Sequence, residues 1–371
     1  MRLGFDAKRV FHNATGLGNY GRDLVRALCA EAPEHAYLLY SPRPGPLPFD
    51  AGGARVEVRG PSGLGRLLPA LWRQAGVARD LRRDRVELFH GLTGELPLGI
   101  ERVGVAPVVT IHDLIFERYP ELYAAVDRRI YRWKARSATA RARRVIAISE
   151  QTRRDLVDLY RVPEERIRVV YQDCHPAFRA EVGPERLAEA ARRHGLEPGF
   201  VLAVGTIEPR KNLLTVAKAL AELPDVRLVV VGRPTPYAGV VEAFLRERGI
   251  EGRVRFLRGV STEDLAALYR LAAVAVYPSL FEGFGIPIVE ALASGTPVVT
   301  TRGGVFPEAG GPGSAYVAPG DAGELRAALA EILGSPDRRA AMRAAGLAHA
   351  ERFRSERIAA DVLAVYAEAL G

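Results

Sequence analysis

Short apolar runs alternate with longer helical patterns along most of this 371-residue chain, and that alternation constrains the fold more than any other feature. The run at 228–231 is Leu-Val-Val-Val, without a polar position, as expected for a parallel strand that is buried on both faces. Strands and helices that alternate in this way form doubly wound parallel sheets. The sequence therefore predicts an α/β fold, with strands at Arg2–Asp6, Tyr37–Tyr40, Arg55–Val58, Val86–Phe89, Val105–Ile111, Val145–Ile148, Ile167–Val170, Phe200–Val204, Arg227–Val231, Val254–Leu257, Val274–Tyr277 and Pro297–Thr300.

The length of the chain indicates two domains, because a single hydrophobic core rarely serves more than about 250 residues. Near residue 180 the strand pattern stops, prolines occur, and a helix leads into a new series of strands and helices. We therefore predict an N-terminal domain at 1–180 and a C-terminal domain at 181–371. The tail from Asp321 is helical in pattern, and its last helices are expected to pack back towards the N-terminal domain.

The formal charge of +8 is compatible with nucleic acid, an anionic membrane or a phosphorylated small molecule as partner. Arginine is concentrated at Arg128–Arg154, which is either a solvated helix face or a surface for anionic lipid or a polyanionic acceptor. No apolar run approaches the roughly 20 residues of a membrane-spanning helix, and the first ten residues lack an apolar signal core. We expect a cytoplasmic protein, with peripheral contact at the inner membrane face as an open alternative.

Metal and cofactor chemistry is not indicated by the sequence. It contains no DxD triplet, no HExxH motif and no cluster of histidine and cysteine. The two cysteines, Cys29 and Cys174, stand in no metal-ligand or redox spacing, which favours unlinked thiols in a reducing compartment. We therefore expect neither a metal site nor a cofactor.

The most informative motif is E-G-F-G-I-P-I-V-E at 282–290, between a predicted strand and a predicted helix at Pro287–Ala293. Proline suits the first turn of a helix, and the amides there form a natural phosphate site. Glu282 could hold sugar hydroxyls before this site, and Glu290 could hold ribose hydroxyls one helical turn inside it. The donor-binding candidates are thus Phe284, Gly285, Ile286 and Glu290. The alternative is an ordinary turn with two solvated glutamates.

A second motif, G-T-I-E-P-R-K-N at 205–212, follows the first predicted strand of the C-terminal domain. Open α/β sheets bind ligands at this end of their strands. Arg210 and Lys211 are adjacent cations there, and cations are unfavourable at a helix N-terminus unless an anion is bound. They could stabilise the negative charge of a leaving diphosphate. The alternative is a solvated first turn.

Two weaker motifs lie in the N-terminal half. Gly16 and Gly18 belong to T-G-L-G-N-Y, between the first strand and a helix predicted at Tyr20–Ala30. This spacing is not a full dinucleotide fingerprint, and a plain strand–helix turn is an equal alternative. His112 ends a buried strand and is followed by Asp113, which could orient its ring, and His90 is a weaker candidate of the same kind.

The segment 277–299, with its glutamates seven residues apart, closely resembles the nucleotide-sugar site of the family 4 (group 1) retaining glycosyltransferases. The resemblance implies the GT-B fold, in which two Rossmann-like domains face each other across a cleft. It also implies that Glu282 contacts the donor sugar, that Glu290 binds the ribose, and that His112 touches the sugar near its reacting carbon. Gly16 and Gly18 are similar to the family's glycine loop, which approaches the donor phosphate.

The E-P-R-K-N segment is similar to that of mannosyltransferases of bacterial surface-polysaccharide assembly. Thr206 stands where many relatives carry arginine, so the hold on the phosphates must rest on Arg210 and Lys211. The resemblance implies a nucleotide-diphosphate sugar donor, with GDP-mannose favoured, and a glycan or lipid-linked acceptor. His112, Arg210, Lys211 and Glu282 are the catalytic candidates, and Thr206 joins the donor-binding set.

Three classes remain open at this point: a glycosyltransferase, another GT-B enzyme such as an epimerase, hydrolase or phosphorylase, and a nucleic-acid-binding protein. A phosphorylase would need a pyridoxal lysine, and Lys218 has no supporting motif. An epimerase would act on the nucleotide sugar without an acceptor. A nucleic-acid-binding protein would need a groove-reading module or interleaved aromatic residues, and the sequence shows neither. The sequence therefore favours the glycosyltransferase.

Overall fold

The computed structural model describes residues 1–13 and 15–371, the side chain of Leu64 excepted. The described residues form two compact units. Unit 1 comprises Met1–Asp173 together with Arg354–Gly371, and unit 2 comprises Cys174–Phe353. Within the described ranges, unit 1 contains a seven-stranded sheet and unit 2 a six-stranded sheet. Every pair of neighbouring strands is parallel. The predicted α/β class with two parallel sheets is confirmed.

Unit 1 is built on a sheet with the strand order β3-β2-β1-β4-β5-β6-β7. Its strands are β1 (Arg2–Asp6), β2 (Ala36–Tyr40), β3 (Arg55–Arg59), β4 (Leu88–Gly91), β5 (Ala106–Ile111), β6 (Arg144–Ala147) and β7 (Ile167–Val169). Its helices are α1 (Lys8–His12), α2 (Gly16–Glu31), α3 (Pro69–Leu71), α4 (Val77–Arg83), α5 (Ile115–Arg118), α6 (Ala125–Arg141) and α7 (Glu150–Tyr160).

Unit 2 is built on a sheet with the strand order β10-β9-β8-β11-β12-β13. Its helices are α8 (Pro184–His194), α9 (Leu213–Ala221), α10 (Ala238–Glu247), α11 (Thr262–Leu271), α12 (Ile286–Ala293), α13 (Phe306–Gly310), α14 (Ala322–Gly334) and α15 (Pro336–Ala350). Its strands are β8 (Val201–Val204), β9 (Leu228–Val231), β10 (Val254–Leu257), β11 (Val274–Tyr277), β12 (Val298–Thr301) and β13 (Ala315–Val317).

Each sheet has a point at which the direction of strand addition reverses. It lies between β1 and β4 in unit 1 and between β8 and β11 in unit 2. Open α/β sheets bind their ligands outside the carboxyl ends of the strands at such a point. The predicted motifs at 205–212 and 282–290 follow β8 and β11, so the fold brings them to the reversal point of unit 2.

The last helix, α16 (Ser355–Leu370), belongs to unit 1, whereas α14 and α15 belong to unit 2. The apolar face of α16, with Ile358, Val362 and Tyr366, is buried in the same cluster as Leu24 and Leu28 of α2. The chain therefore leaves unit 1 after Asp173 and returns to it at Arg354.

Two predicted elements differ from the structure by more than one residue at an end, and one observed strand was not predicted. The helix predicted from Tyr20 begins at Gly16, so Gly16 and Gly18 lie in its first turn and not in a loop before it. The strand predicted at Val86–Phe89 is β4 at Leu88–Gly91, because backbone pairing with β1 and β5 extends through His90. The three-residue edge strand β13 is absent from the prediction.

Candidate functional site

The segment between β11 and α12 carries the first group of predicted site residues. Gly285 precedes the helix with a φ of +113°, a conformation that side chains other than glycine rarely adopt. The helix then begins at Ile286 with Pro287 in its first turn, so the chain enters α12 through a glycine turn as the motif predicts. Phe284 is buried and packs edge-to-face on Phe353, with ring centroids 5.4 Å apart. Its ring therefore takes part in the packing of unit 2.

Glu282 forms an ion cluster with the two predicted cations. Its Oε2 lies 2.6 Å from Arg210 Nη1, and its Oε1 lies 2.7 Å from Lys211 Nζ. Glu282 is 9% exposed, so this cluster is withdrawn from most of the solvent. The structure therefore joins groups to which the sequence assigned separate partners, the sugar for Glu282 and the diphosphate for Arg210 and Lys211.

The electrostatics of this cluster keep all three side chains charged. Burial raises the pKa of Glu282, but Lys211 and Arg210 lower it further, so its pKa lies below the ordinary value. Burial lowers the pKa of Lys211, but Tyr277 and Glu282 outweigh that effect and raise it. The pKa of Arg210 is likewise raised, because Glu282 and Glu208 outweigh burial. Opposite charges at these distances favour the ionised form of each partner.

Further residues hold the cluster in place, and none of them is among the predicted site residues. Lys211 Nζ donates to the Tyr277 hydroxyl at 2.5 Å and lies 4.7 Å from the centre of that ring. Arg210 donates to Glu208 Oε1 at 2.7 Å and to the Phe281 carbonyl at 2.8 Å. Asn212 has a φ of +56°, which asparagine tolerates better than most residues, and so ends the turn that carries both cations.

Thr206 lies beside this cluster at the carboxyl end of β8. With Gly205, Lys211, Tyr277 and Ser279 it lines a pocket of about 310 Å³ that is open to solvent. The pocket sits between β8 and β11, at the reversal point of the sheet. The position therefore suits the phosphate end of a ligand whose other parts extend along the sheet edge.

Glu290 lies one turn inside α12, where its Oε2 accepts a hydrogen bond of 3.1 Å from the Tyr269 hydroxyl. Tyr269 is buried and also donates to the Pro287 carbonyl at 3.2 Å. Burial and the nearby carboxylate raise the pKa of Tyr269, so its hydroxyl stays protonated and acts as a donor. This contact fixes the direction of the Glu290 carboxylate at the start of the helix.

In unit 1 the two predicted glycines occupy different surroundings. A Cβ on Gly18 would stand 1.8 Å from the Asn13 carbonyl oxygen, so only glycine fits this close approach of backbones. Gly16 is exposed, and a Cβ there would meet nothing within 4 Å. The packing of α2 on the preceding segment explains why position 18 is glycine. No such packing constrains position 16, which faces solvent.

His112 directly follows β5, where both of its ring nitrogens are engaged. Nε2 lies 2.9 Å from the Leu92 carbonyl oxygen and must donate to it, so Nδ1 accepts from Gln172 Nε2 at 3.2 Å. Burial lowers the pKa of His112 to about 4. The ring is therefore neutral near pH 7 and acts as a fixed polar group. Asp113 accepts from the Ile115 amide at 3.1 Å, and Leu92 and Gln172 orient the ring.

His90 is fully buried and belongs to a hydrogen-bonded chain of side chains. Its Nδ1 lies 2.7 Å from the Tyr366 hydroxyl and its Nε2 2.7 Å from Thr110 Oγ1, which in turn lies 2.9 Å from the Tyr20 hydroxyl. Burial lowers the pKa of His90 to about 3. This chain links α16 to the sheet of unit 1, so His90 is a structural residue and not a lining residue of a site.

Over residues 1–13 and 15–371, no three His, Cys, Asp or Glu side chains are grouped so that they could hold a metal ion. Within that same part of the chain, no helix combines the length and apolar character that crossing a membrane requires.

Two family models match the chain, one in each half. The model described as Glycosyltransferase Family 4 matches residues 14–172. The model described as Glycosyl transferases group 1 matches residues 186–349, which include the Glu282 cluster and Glu290. The second match thus covers the region in which the candidate donor site lies.

Two curated relatives extend this similarity beyond the separate halves. The O-antigen chain mannosyltransferase B of Escherichia coli is 30% identical, and the alignment covers 99% of each chain. The MMP alpha-(1->4)-mannosyltransferase of Mycolicibacterium hassiacum is 32% identical over 78% of this chain and 71% of its own. Each of these relatives is thus similar over more than two thirds of its own length.

Among solved structures, the fold is similar to that of the Anabaena protein Alr3699/HepE in complex with UDP and glucose. The TM-score is 0.77 at 21% identity, with 99% of each chain covered. It is also similar to WaaG, a glycosyltransferase involved in lipopolysaccharide biosynthesis, with a TM-score of 0.72 at 20% identity and 98% of each chain covered. These likenesses identify the fold as that of the GT-B glycosyltransferases.

Proposed function

The chain belongs to the group 1 glycosyltransferases, and we propose that it moves a sugar from a nucleotide-diphosphate donor to a glycan or lipid-linked acceptor with retention of configuration. The observation that carries this proposal is the buried cluster of Glu282, Arg210 and Lys211 beside the N-terminus of α12. A departing diphosphate gains negative charge as the glycosidic bond breaks, and fixed cations stabilise that charge most in the transition state.

In this mechanism Arg210 and Lys211 hold the diphosphate, and Glu282 holds hydroxyls of the donor sugar. The acceptor hydroxyl attacks the anomeric carbon on the face from which the diphosphate leaves, and the departing phosphate oxygen takes the acceptor's proton. We assign His112 a contact with the sugar near its reacting carbon and not general-base catalysis, because the ring is neutral and its Nδ1 already accepts from Gln172. No enzyme nucleophile is required.

The experiment that tests this function is NMR of the first-formed product. We expect the new linkage to have the anomeric configuration of the donor, and nucleotide release to depend on an added acceptor pool. An inverted linkage would exclude retention. A trapped glycosyl-enzyme would keep retention but replace front-face attack by double displacement. Nucleotide release that proceeds equally well without acceptor would favour an epimerase or hydrolase.

For the donor, we propose GDP-mannose, since relatives over most of the chain are mannosyltransferases. We expect Glu290→Ala to weaken binding of the preferred nucleotide by roughly 1–3 kcal/mol, because it removes charge-assisted hydrogen bonds to the ribose. Thermal shifts with UDP, GDP and ADP identify the base in the unaltered protein and measure the loss in the variant. The matched control is Glu247→Ala, an exposed glutamate of α10. Equal affinity in Glu290→Ala and Glu247→Ala would remove Glu290 from the ribose site.

Transfer is expected to need no divalent ion. Arg210, Lys211 and the first amides of α12 supply the positive charge that Mg²⁺ supplies in other transferases. We expect the initial rate to be unchanged after dialysis against excess EDTA. Loss of the rate, with recovery on adding Mg²⁺ or Mn²⁺, would show that a metal takes part.

A lipid-linked acceptor would require contact with a membrane surface, and we propose that the first half of α6 makes it. Val126 and Ile130 are exposed there beside Arg128 and Arg129, whereas later arginines of this stretch bind within unit 1, as Arg144 does to Glu368 at 3.0 Å. Apolar side chains flanked by cations suit an anionic bilayer. We expect the protein to sediment with anionic vesicles but not with neutral ones. Arg129→Glu should abolish this sedimentation, whereas Arg246→Glu, the control on α10, should leave it unchanged. Equal sedimentation of both variants would reject this surface.

A further inference from the structure

Unit 1 has a solvent-open cavity of about 540 Å³ that the donor site does not use. Asp6, the last residue of β1, lies on one side of it, and Glu95, in the segment after β4, lies on another. Helix α6 forms a wall with Trp133 and Lys134. Because β1 and β4 are the strands between which the sheet reverses, this cavity lies at the ligand-binding position of unit 1's own sheet.

The floor of the cavity is a set of paired charges. Arg73 Nε lies 3.0 Å from Asp6 Oδ1, and Arg73 Nη1 lies 2.6 Å from Glu95 Oε2. Lys134 Nζ lies 3.1 Å from Glu95 Oε1. The side chains of Arg73 and Asp6 are only 13% and 8% exposed, so the pairs hold each other in fixed positions. The floor thus offers carboxylate acceptors and cationic donors side by side, with two charges of each sign.

The wall of the cavity is aromatic and exposed. Trp133 is 52% exposed, whereas Trp72, which also lines the cavity, is buried and donates to Asp80 at 2.7 Å. Leu98 adds a further exposed apolar side chain to the rim. Large aromatic side chains that line a concave site beside a few fixed polar groups are typical of ligand pockets. A pyranose ring matches this combination, because one face carries C–H groups and its edge carries hydroxyls.

We propose that this cavity binds an uncharged pyranose unit of the acceptor, with the C–H face of the sugar on Trp133 and its hydroxyls on Glu95 and Lys134. The proposal rests on the transferase function proposed above and assigns it an acceptor subsite. The sugar is expected to be uncharged because the negative charges of Asp6 and Glu95 are already balanced by the positive charges of Arg73 and Lys134. Arg141, the further cation of the lining, donates to the Leu96 carbonyl at 2.9 Å.

Both tryptophans of the chain line this cavity, which makes them specific reporters. The full-length protein is labelled with 5-fluorotryptophan, and Trp133→Phe assigns the two fluorine resonances. The probes are the methyl α-glycosides of mannose, glucose, galactose and N-acetylglucosamine. We expect at least one probe to give a saturable shift that is larger for Trp133 than for Trp72. Absence of a saturable shift with all four probes would overturn the proposal.

The binding strength is then compared between variants by saturation-transfer NMR with the probe that shifts Trp133. Trp133→Ala is expected to weaken binding at least tenfold. Leu122→Ala, at an exposed apolar position of unit 1 outside the cavity lining, is expected to change it less than twofold. Equal effects of the two variants would contradict the assignment. Nucleotide binding by the unaltered protein is measured in parallel. If no nucleotide binds, that result counts against the transferase function and not against the sugar site.

Discussion

Lys211→Ala is expected to lower kcat/KM for transfer by about 10²–10³-fold, the range measured when a preorganised charge-stabilising donor is removed. Lys211 is held for this purpose by two oxygens, with Tyr277 at 2.5 Å and Glu282 at 2.7 Å. Its raised pKa keeps the ammonium charged at neutral pH. Because the leaving diphosphate gains charge as the bond breaks, kcat/KM should fall by a larger factor than the affinity for the sugar-free nucleotide.

The matched control for this prediction is Lys218→Ala. Lys218 lies two turns further along, exposed on α9, and is one of only four lysines in the chain. We expect its rates to equal those of the unaltered protein. Steady-state kinetics and nucleotide titration are performed on both variants after their thermal unfolding has been compared. Equal losses in kcat/KM and in nucleotide affinity for Lys211→Ala would indicate ground-state binding without transition-state stabilisation.

The arrangement of strands was predictable because buried parallel strands leave an unambiguous apolar pattern. The ends of the strands were less predictable where backbone pairing with a neighbouring strand, and not residue composition, determines the last strand residue. His90 and Gly91 have no strand-like pattern, yet they pair with β5 at Val108 and Val109. The edge strand β13 has only three residues and carries too short a pattern to identify.

The start of α2 shows a close backbone approach that overrides the low helix propensity of glycine. Glycine is a poor helix former, so a sequence pattern places Gly16 and Gly18 before the helix and not inside it. In the structure, α2 approaches the Asn13 carbonyl so closely that only glycine fits at position 18. The approach depends on the backbone path of the segment that precedes the helix, and residue types alone do not specify that path.

The motifs predict which residues form the candidate donor site, but they do not predict how those residues pair. The motifs at 205–212 and 282–290 are separated by some 70 positions, and the sequence assigns different parts of the donor to them. They meet because Asn212 turns the chain after the cations, and the Arg210 carbonyl accepts from the Leu280 amide at 2.9 Å. The resulting contact of Glu282 with both cations depends on this backbone geometry.

Removing the contact of Glu282 with Arg210 and Lys211 is expected to have the second large effect, a loss of folding stability. Glu282→Ala is expected to lower the free energy of unfolding by about 3 kcal/mol, since removing one partner leaves buried charges uncompensated. Arg210 would keep Glu208, and Lys211 would keep the uncharged Tyr277 side chain. Denaturant unfolding at pH 7 measures the loss. Glu282→Gln, which preserves the shape, is the second variant, and the exposed Glu247→Gln is the control.

The pH dependence of that loss follows from the lowered pKa of Glu282. A carboxylate whose pKa is lower in the folded than in the unfolded protein stabilises the fold above its unfolded pKa. The contribution disappears as the pH falls through the folded pKa. The difference in unfolding free energy between the unaltered protein and Glu282→Gln should therefore be full at pH 7 and shrink below about pH 4.5, the ordinary carboxyl value. A difference that stays constant down to pH 3 would show that the lost stability does not come from the charge of Glu282.

A nucleotide diphosphate should reverse the effect, because its phosphates can take the place of the missing carboxylate beside Arg210 and Lys211. In the unaltered protein an incoming diphosphate must share these cations with Glu282, whereas in Glu282→Gln it meets them without a competing charge. We therefore expect the preferred nucleotide diphosphate to raise the Tm of Glu282→Gln by more than that of the unaltered protein, although transfer by the variant is slower. The corresponding nucleoside, which lacks phosphates, should raise both equally. A smaller Tm increase in the variant would mean that Glu282 positions the cations for the diphosphate and does not compete with it.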